Sequence, residues 1–136
     1  MDAKKLHLKV ITHEKVVFDK DVDAVYSTGE KGDFGVLPNH IPFMTALKTG
    51  VTRAVVDGET EHIAVMGGAF QVVNNEILIL TGVAEMADDI DVARAKDAKA
   101  RAEARLGSND VKVDRQRAEA ALARAIARLK ANKKVC

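Results

Sequence analysis

Six arginines carry the most chemistry in this chain. Arg94, Arg101 and Arg105 follow one another at +7 and +4, and Arg117, Arg124 and Arg128 repeat that spacing. On an α-helix such residues share a face, so each trio forms a stripe. A guanidinium presents a planar fork of donors that meets phosphate oxygens with paired hydrogen bonds. Two stripes brought together would hold a polyphosphate. The run Asp89-Ile90-Asp91-Val92-Ala93-Arg94-Ala95 adds an acid and a base three residues apart, at a helix start where backbone N–H groups still lack partners. Asp91 lies one turn before Arg94 and is placed to orient it. Glu85, just upstream, supplies an acceptor for an adenine amino group or a ribose hydroxyl. The plainer alternative is a solvated face laced by i, i+4 ion pairs such as Asp97 with Arg101. Spacing alone leaves both open.

The elements that must position these residues are helical. From Asp89 onward there is no proline and one glycine, and alanine dominates. Asp88 or Asp89 is expected to cap a helix running to about Leu106. Gly107-Ser108-Asn109-Asp110 breaks it, and Asp114 caps a second helix to about Lys130. Ala118, Leu122, Ala125 and Leu129 form the apolar stripe of that second helix. So short a break implies an antiparallel hairpin, which lets the two arginine stripes converge. An alanine seam buries little area, and at ~25 cal/mol per Å2 it gains little. The hairpin is therefore expected to be marginal alone and mobile.

Before it, from Leu6 to about Ala84, the pattern is strand after strand. Leu6, Leu8 and Val10 alternate with His7, Lys9 and Ile11 at a period of two. Val16-Val17-Phe18 and Ala24-Val25-Tyr26 begin further strands. Gly29 to Gly35 reads as a loop. Val51–Val56 and Thr60–Met66 flank the hairpin turn Asp57-Gly58, and Phe70–Val73 and Ile77–Leu80 flank Asn74-Asn75. Short strands with turns every 8–12 residues indicate a sandwich or barrel.

Other motifs carry less. Gly29, Gly32 and Gly35 do not make a phosphate loop, because no helix follows and Pro38 and Pro42 forbid one. The four histidines lack a cysteine or second histidine at ligand spacing, so no metal site is expected. His7, His13 and His62 read as surface residues, His40 as a surface or interface residue. No nucleophile stands beside a base. The lone cysteine, Cys136, excludes a disulfide within the chain and suits a reducing compartment.

The chain has 136 residues, 47% of them hydrophobic and 4% aromatic with no Trp, so its core is built from Val, Ile, Leu and Ala. No apolar run approaches the ~20 residues of a membrane span, and the start lacks a signal-peptide pattern. A soluble cytoplasmic protein is expected, peripheral to a membrane only through partners. Residues 1–87 hold 8 Lys/Arg against 12 Asp/Glu, and residues 88–136 hold 13 against 8. Two units with different partners follow: a strand unit, 1–87, and a helical hairpin, 88–136. The thirteen basic residues of the second unit permit a nucleic-acid-binding hairpin as a remote alternative, but its acids dilute the basic field and it has no aromatic platform, so a nucleic-acid partner is not expected.

The chain resembles the ε subunits of bacterial F-type ATP synthases over essentially its whole length. The resemblance rests on Val25-Tyr26-Ser27, on Gly29-Glu30-Lys31-Gly32-Asp33-Phe34-Gly35-Val36-Leu37-Pro38-Asn39-His40-Ile41-Pro42, and on Met66-Gly67-Gly68-Ala69-Phe70-Gln71-Val72. Asp89-Ile90-Asp91-Val92-Ala93-Arg94-Ala95 and Arg117-Ala118-Glu119 extend it into the second unit. It implies a β-sandwich of about ten strands followed by a two-helix domain, and a non-catalytic place on the central stalk against γ and the ring of c subunits. It also implies inhibition of ATP hydrolysis by helices that extend into the α/β catalytic head. In ATP-binding members the folded-down hairpin holds one ATP as a regulatory ligand. The matching positions here are Glu85, Ile90, Asp91, Arg94, Ala95, Arg101, Arg124 and Arg128. The implied roles are base and ribose contacts near Glu85 and Ile90, phosphate clamping by Arg101, Arg124 and Arg128, and orientation by Asp91 and Arg94. The implied γ and ring contacts fall on Asp33 and His40. The tail Lys133-Lys134-Val135-Cys136 matches no pattern of the family.

Overall fold

The computed structural model describes residues 5–132; Cys136 and the rest of the tail from Lys133 lie outside them. Eight strands come first: β1 (Leu6–Ile11), β2 (Val16–Val22), β3 (Ala24–Gly29), β4 (Gly32–Val36), β5 (Phe43–Val56), β6 (Glu59–Val73), β7 (Glu76–Leu80) and β8 (Ala84–Met86). A 3-10 turn, Ala87–Asp89, leads to α1 (Val92–Leu106) and α2 (Arg115–Asn132).

The strands pair in the order β2-β1-β7-β6-β5-β3-β4, with β8 added to β6. The alternation in β1 is real: Leu6, Leu8 and Val10 are fully buried while His7, Lys9 and Ile11 are partly exposed. Their core partners include Val25, Val36, Ile63, Val65, Phe70, Val72, Ile77 and Ile79, each at most 2% exposed. Packing two sheet faces over one apolar interior makes the fold a β-sandwich.

Eight strands replace the expected ten because β5 and β6 are long, at 14 and 15 residues. The sequence suggested Thr60–Met66 and Phe70–Val73 as separate strands, but both belong to β6. Ile63–Val65 pairs with β8, whereas Ala69–Val73 pairs with β7. The change of partner falls at Gly67-Gly68. Gly68 has φ +120°, and a Cβ there would stand 2.1 Å from the Leu80 carbonyl oxygen. Only glycine lets the strand turn the corner that close to β7. A second difference is the expected Gly29–Gly35 loop, half of which is β4, paired with β3 from Gly29↔Gly32 to Val25↔Val36.

The hairpin turns form where expected. Asp57 and Gly58 (φ 51° and 84°) and Asn74 and Asn75 (φ 51° and 63°) have the paired positive φ values of type I′ turns.

The helices pack as a layered attachment. α1 lies along α2, and α2 in turn lies on β5 and β6. The buried residues are all alanines: Ala95 and Ala102 on α1, and Ala118, Ala125, Ala127 and Ala131 on α2. Leu122 and Leu129, expected in the seam, are only half-buried.

Candidate functional site

The polypeptide enters the helical region through a pinned turn. The Ile90 N–H donates to the Ala87 carbonyl at 3.3 Å. The Asn132 side-chain amide donates to the same carbonyl at 2.7 Å. Ile90 itself is 7% exposed and packs with Ala64 and Ala131, beside Val51 and Met66. The last turn of α2 is thus fastened over the start of the linker by one hydrogen bond and a small apolar cluster.

Asp91, rather than Asp88 or Asp89, caps α1. Its backbone is extended (φ −81°, ψ 99°) and its carboxylate accepts the Arg94 backbone N–H at 3.0 Å. The acid and base three residues apart are therefore coupled through the main chain. Among the described residues the Arg94 guanidinium makes no hydrogen bond or ion pair of its own. α2 starts in the same manner, with Asp114 accepting the Arg117 N–H at 3.1 Å. The connector between the helices is held by Ser108 and Asp110 side chains and by Arg115, which donates to the Leu106 carbonyl at 3.0 Å.

Between β8, the turn and the two helices lies an open cleft of about 440 Å3, within the usual range of small-ligand sites. Its walls include Glu85, Asp89, Asp91, Arg94, Ala95, Arg101 and Arg128. The hairpin has brought arginines from both helices to one place. Arg128 donates its Nε–H to the Glu85 carboxylate, and the two side chains are 29% and 31% exposed. That bond leaves the terminal nitrogens of the fork for another acceptor. Formal charges in the cleft balance, with Arg94, Arg101 and Arg128 against Glu85, Asp89 and Asp91.

Six of the eight candidate residues line this cleft; Ile90 and Arg124 do not. Ile90 is an anchor of the linker, buried against the sandwich. Arg124, one turn before Arg128, is exposed outside the lining. Asp97 and Arg101 form no ion pair among the described residues. Asp89 and Ala98 line the cleft without having been expected. Ala98 lies four residues after Arg94 and three before Arg101, so helical spacing alone places it between them.

The two candidate contact residues sit elsewhere. Asp33 is exposed on β4, opposite Thr28, in a groove that also holds Tyr26, Arg53 and Lys130. His40 bonds through Nδ1 to the Ile41 carbonyl at 2.6 Å, and its ring meets Phe43 edge-on at 5.8 Å. Around it Leu37, Ile41 and Met44 are 59%, 75% and 68% exposed. Among the described residues no cluster of His, Cys, Asp and Glu is placed to hold a metal ion, and no helix is long and apolar enough to cross a membrane.

Comparison with known proteins gives two family matches. Residues 5–87 match the ATP synthase Delta/Epsilon chain beta-sandwich domain, and residues 88–133 match the Delta/Epsilon chain long alpha-helix domain. The ATP synthase epsilon chain of Desulforamulus reducens is 48% identical over 129 residues, covering 95% of this chain and 98% of that one. That of Nitratidesulfovibrio vulgaris strain DP4 is 47% identical over 127 residues, covering 93% and 95%. In fold, a chain of the Euglena gracilis mitochondrial ATP synthase superposes with a TM-score of 0.80 at 23% identity, over 96% of this chain and 84% of that one.

Proposed function

The chain belongs to the ATP synthase delta/epsilon chain family, a family of non-catalytic subunits, and from that premise we propose that it is a rotor subunit whose helical hairpin senses ATP. The sandwich, residues 1–87, couples to the γ subunit and the ring of c subunits, and the hairpin, 88–136, regulates. A neighbour of the same fold comes from the central stalk and c-ring of the Tetrahymena thermophila enzyme. The exposed Leu37, Ile41 and Met44 beside His40 support a docking surface at that end of the sandwich. Asp33 supplies a second, polar contact. Through these partners the subunit works at the cytoplasmic face of a bacterial membrane.

The observation that carries the sensing proposal is the cleft that places Arg94 and Arg101 of α1 with Arg128 of α2 and Glu85 of β8. This juxtaposition requires the hairpin to be folded down. A ligand that binds only there biases the hairpin toward the sandwich. The bias follows RT ln(1 + [L]/Kd): about 4 kcal/mol for a micromolar site under millimolar ATP, about 0.4 kcal/mol for a millimolar one. Released helices would reach the α/β head and oppose ATP hydrolysis. ATP is then a signal and not a substrate.

A reporter pair on α1 and the sandwich tests this. ATP should shorten their separation in the native chain and not in Arg94→Ala. Separation indifferent to ATP favours a second reading, a stalk subunit that couples and brakes without sensing nucleotide. The Arg128–Glu85 pairing and the position of Arg124 outside the cleft are the observations on its side.

A further inference from the structure

We propose that Asp89 sets what the cleft accepts, favouring a nucleoside triphosphate over a bare polyphosphate; this rests on the nucleotide reading above. Three carboxylates line the cleft, and two of them are committed. Glu85 holds the Arg128 Nε–H. Asp91 holds the Arg94 backbone N–H at 3.0 Å. Asp89 is exposed and makes no hydrogen bond or ion pair among the described residues.

Its backbone is nevertheless fixed. It ends the 3-10 turn Ala87–Asp89, whose first carbonyl accepts both the Ile90 N–H and the Asn132 amide. The next residue, Ile90, is buried against Ala64 and Ala131. A free carboxylate is thereby held at the rim of a cleft whose other charged groups, three arginines against Glu85 and Asp91, leave one positive charge over.

The cleft has a direction. Asp89 lies just before α1, whereas Arg94 and Arg101 lie along it, and seven residues of helix place Arg101 about 10 Å beyond Arg94. An extended anion follows the arginines. Whatever continues from it toward the turn meets Asp89. A phosphate oxygen there is repelled. An amino or hydroxyl hydrogen is bonded, with the added strength of an ionised acceptor. The base and sugar of a nucleotide bring such donors on uncharged groups, whereas inorganic tripolyphosphate brings only phosphate.

Isothermal titration of the full chain with ATP and with inorganic tripolyphosphate tests this in the native protein, Asp89→Asn and Asp97→Asn. Asp97 is an exposed acid of α1 outside the lining and controls for general charge. Removing one negative charge near a triphosphate should tighten tripolyphosphate about three- to tenfold in Asp89→Asn. ATP should tighten less, because a charged acceptor is lost, so the preference for ATP falls by about threefold or more. An unchanged preference in Asp89→Asn, or an equal change in Asp97→Asn, overturns the inference. So does a native chain that binds both ligands equally, which still leaves an anion site. A native chain that binds neither removes the nucleotide reading as well.

Discussion

Arg128 of α2 donates its Nε–H to Glu85 of β8, a residue 43 positions earlier in the chain and on the other structural unit. With the Asn132 amide on the Ala87 carbonyl, it forms the polar fastening of the hairpin to the sandwich. Both bonds sit at the C-terminal half of α2, so the hairpin is held at one end. The apolar part of the attachment is made of small side chains, Ala64 and Ala131 with Ile90. Such an attachment can be closed tightly and opened at modest cost.

Glu85→Ala should therefore loosen the hairpin without unfolding the sandwich. A partly exposed pair of this kind contributes about 1 kcal/mol, or roughly a fivefold rise in the open population. Hydrogen exchange of α2 amides should accelerate by that factor, while β1, β6 and β7 amides keep their protection.

Ala131→Leu should act more strongly at the same joint. Ala131 and Ala64 are both fully buried, and a larger side chain there costs about 1–3 kcal/mol if the helix stays docked. The helix is expected to undock instead, which a reporter pair on α2 and the sandwich reads as a longer mean separation. Asn132→Ala, losing only a hydrogen bond, should give a smaller change of the same sign, about 1 kcal/mol.

Asp91→Ala removes the cap of α1 and should lower hairpin stability by about 1 kcal/mol, with Asp91→Asn retaining most of it. The helical circular dichroism of the two variants checks this. A cap role predicts that Asn rescues, since it can still accept the Arg94 N–H.

Much of this was legible in the sequence. The period-two pattern of Leu6, Leu8 and Val10, the turns at Asp57-Gly58 and Asn74-Asn75, and the capped alanine-rich helices all read directly from residue types. The length of β6 did not, because Gly67-Gly68 looks like a break locally and is a bend only when β7 lies beneath it. The cap of α1 lies two or three residues beyond the expected Asp88 or Asp89, because three acids, Asp88, Asp89 and Asp91, compete for the position. The burial of Ile90 decided it, since docking that side chain fixes where the helix can start. In the cleft, helical spacing brought Arg94, Arg101 and Arg128 together, but it could not show that Arg128 has a carboxylate partner or that Arg124 stays outside. Those depend on how α2 sits on β5 and β6, a tertiary relationship without a local signature.

Gly68→Ala should unfold or severely destabilise the sandwich, by about 3 kcal/mol or more. Its φ of +120° is unfavourable for any side chain, and the Leu80 carbonyl stands in the way of a Cβ. Urea denaturation measures the loss. Gly32→Ala is a useful contrast, with φ +126° but open space around it, and should cost only the backbone strain.

His7 predicts a pH dependence. Its ring bonds the carboxylates of Asp21 and Asp19 across β1 and β2, and these bonds, Asp21 first, raise its pKa above the ordinary 6.5. A raised folded-state pKa gives stability that is complete below about pH 6.5 and is lost as pH rises through the folded value. Urea midpoints of the native protein should therefore fall relative to His7→Gln as pH rises above about 6.5, modestly because the cluster is solvent-screened.

The central claim is that arginines from both helices form a nucleotide site when the hairpin is folded onto the sandwich. Isothermal titration of the full chain with ATP tests it most directly. One ATP should bind per chain, and Arg101→Ala should weaken it by about tenfold or more, as expected for loss of a charge-assisted contact. A native chain that gives no binding heat and no competition at several millimolar ATP, or an Arg101→Ala chain that binds as tightly as the native one, would contradict the account.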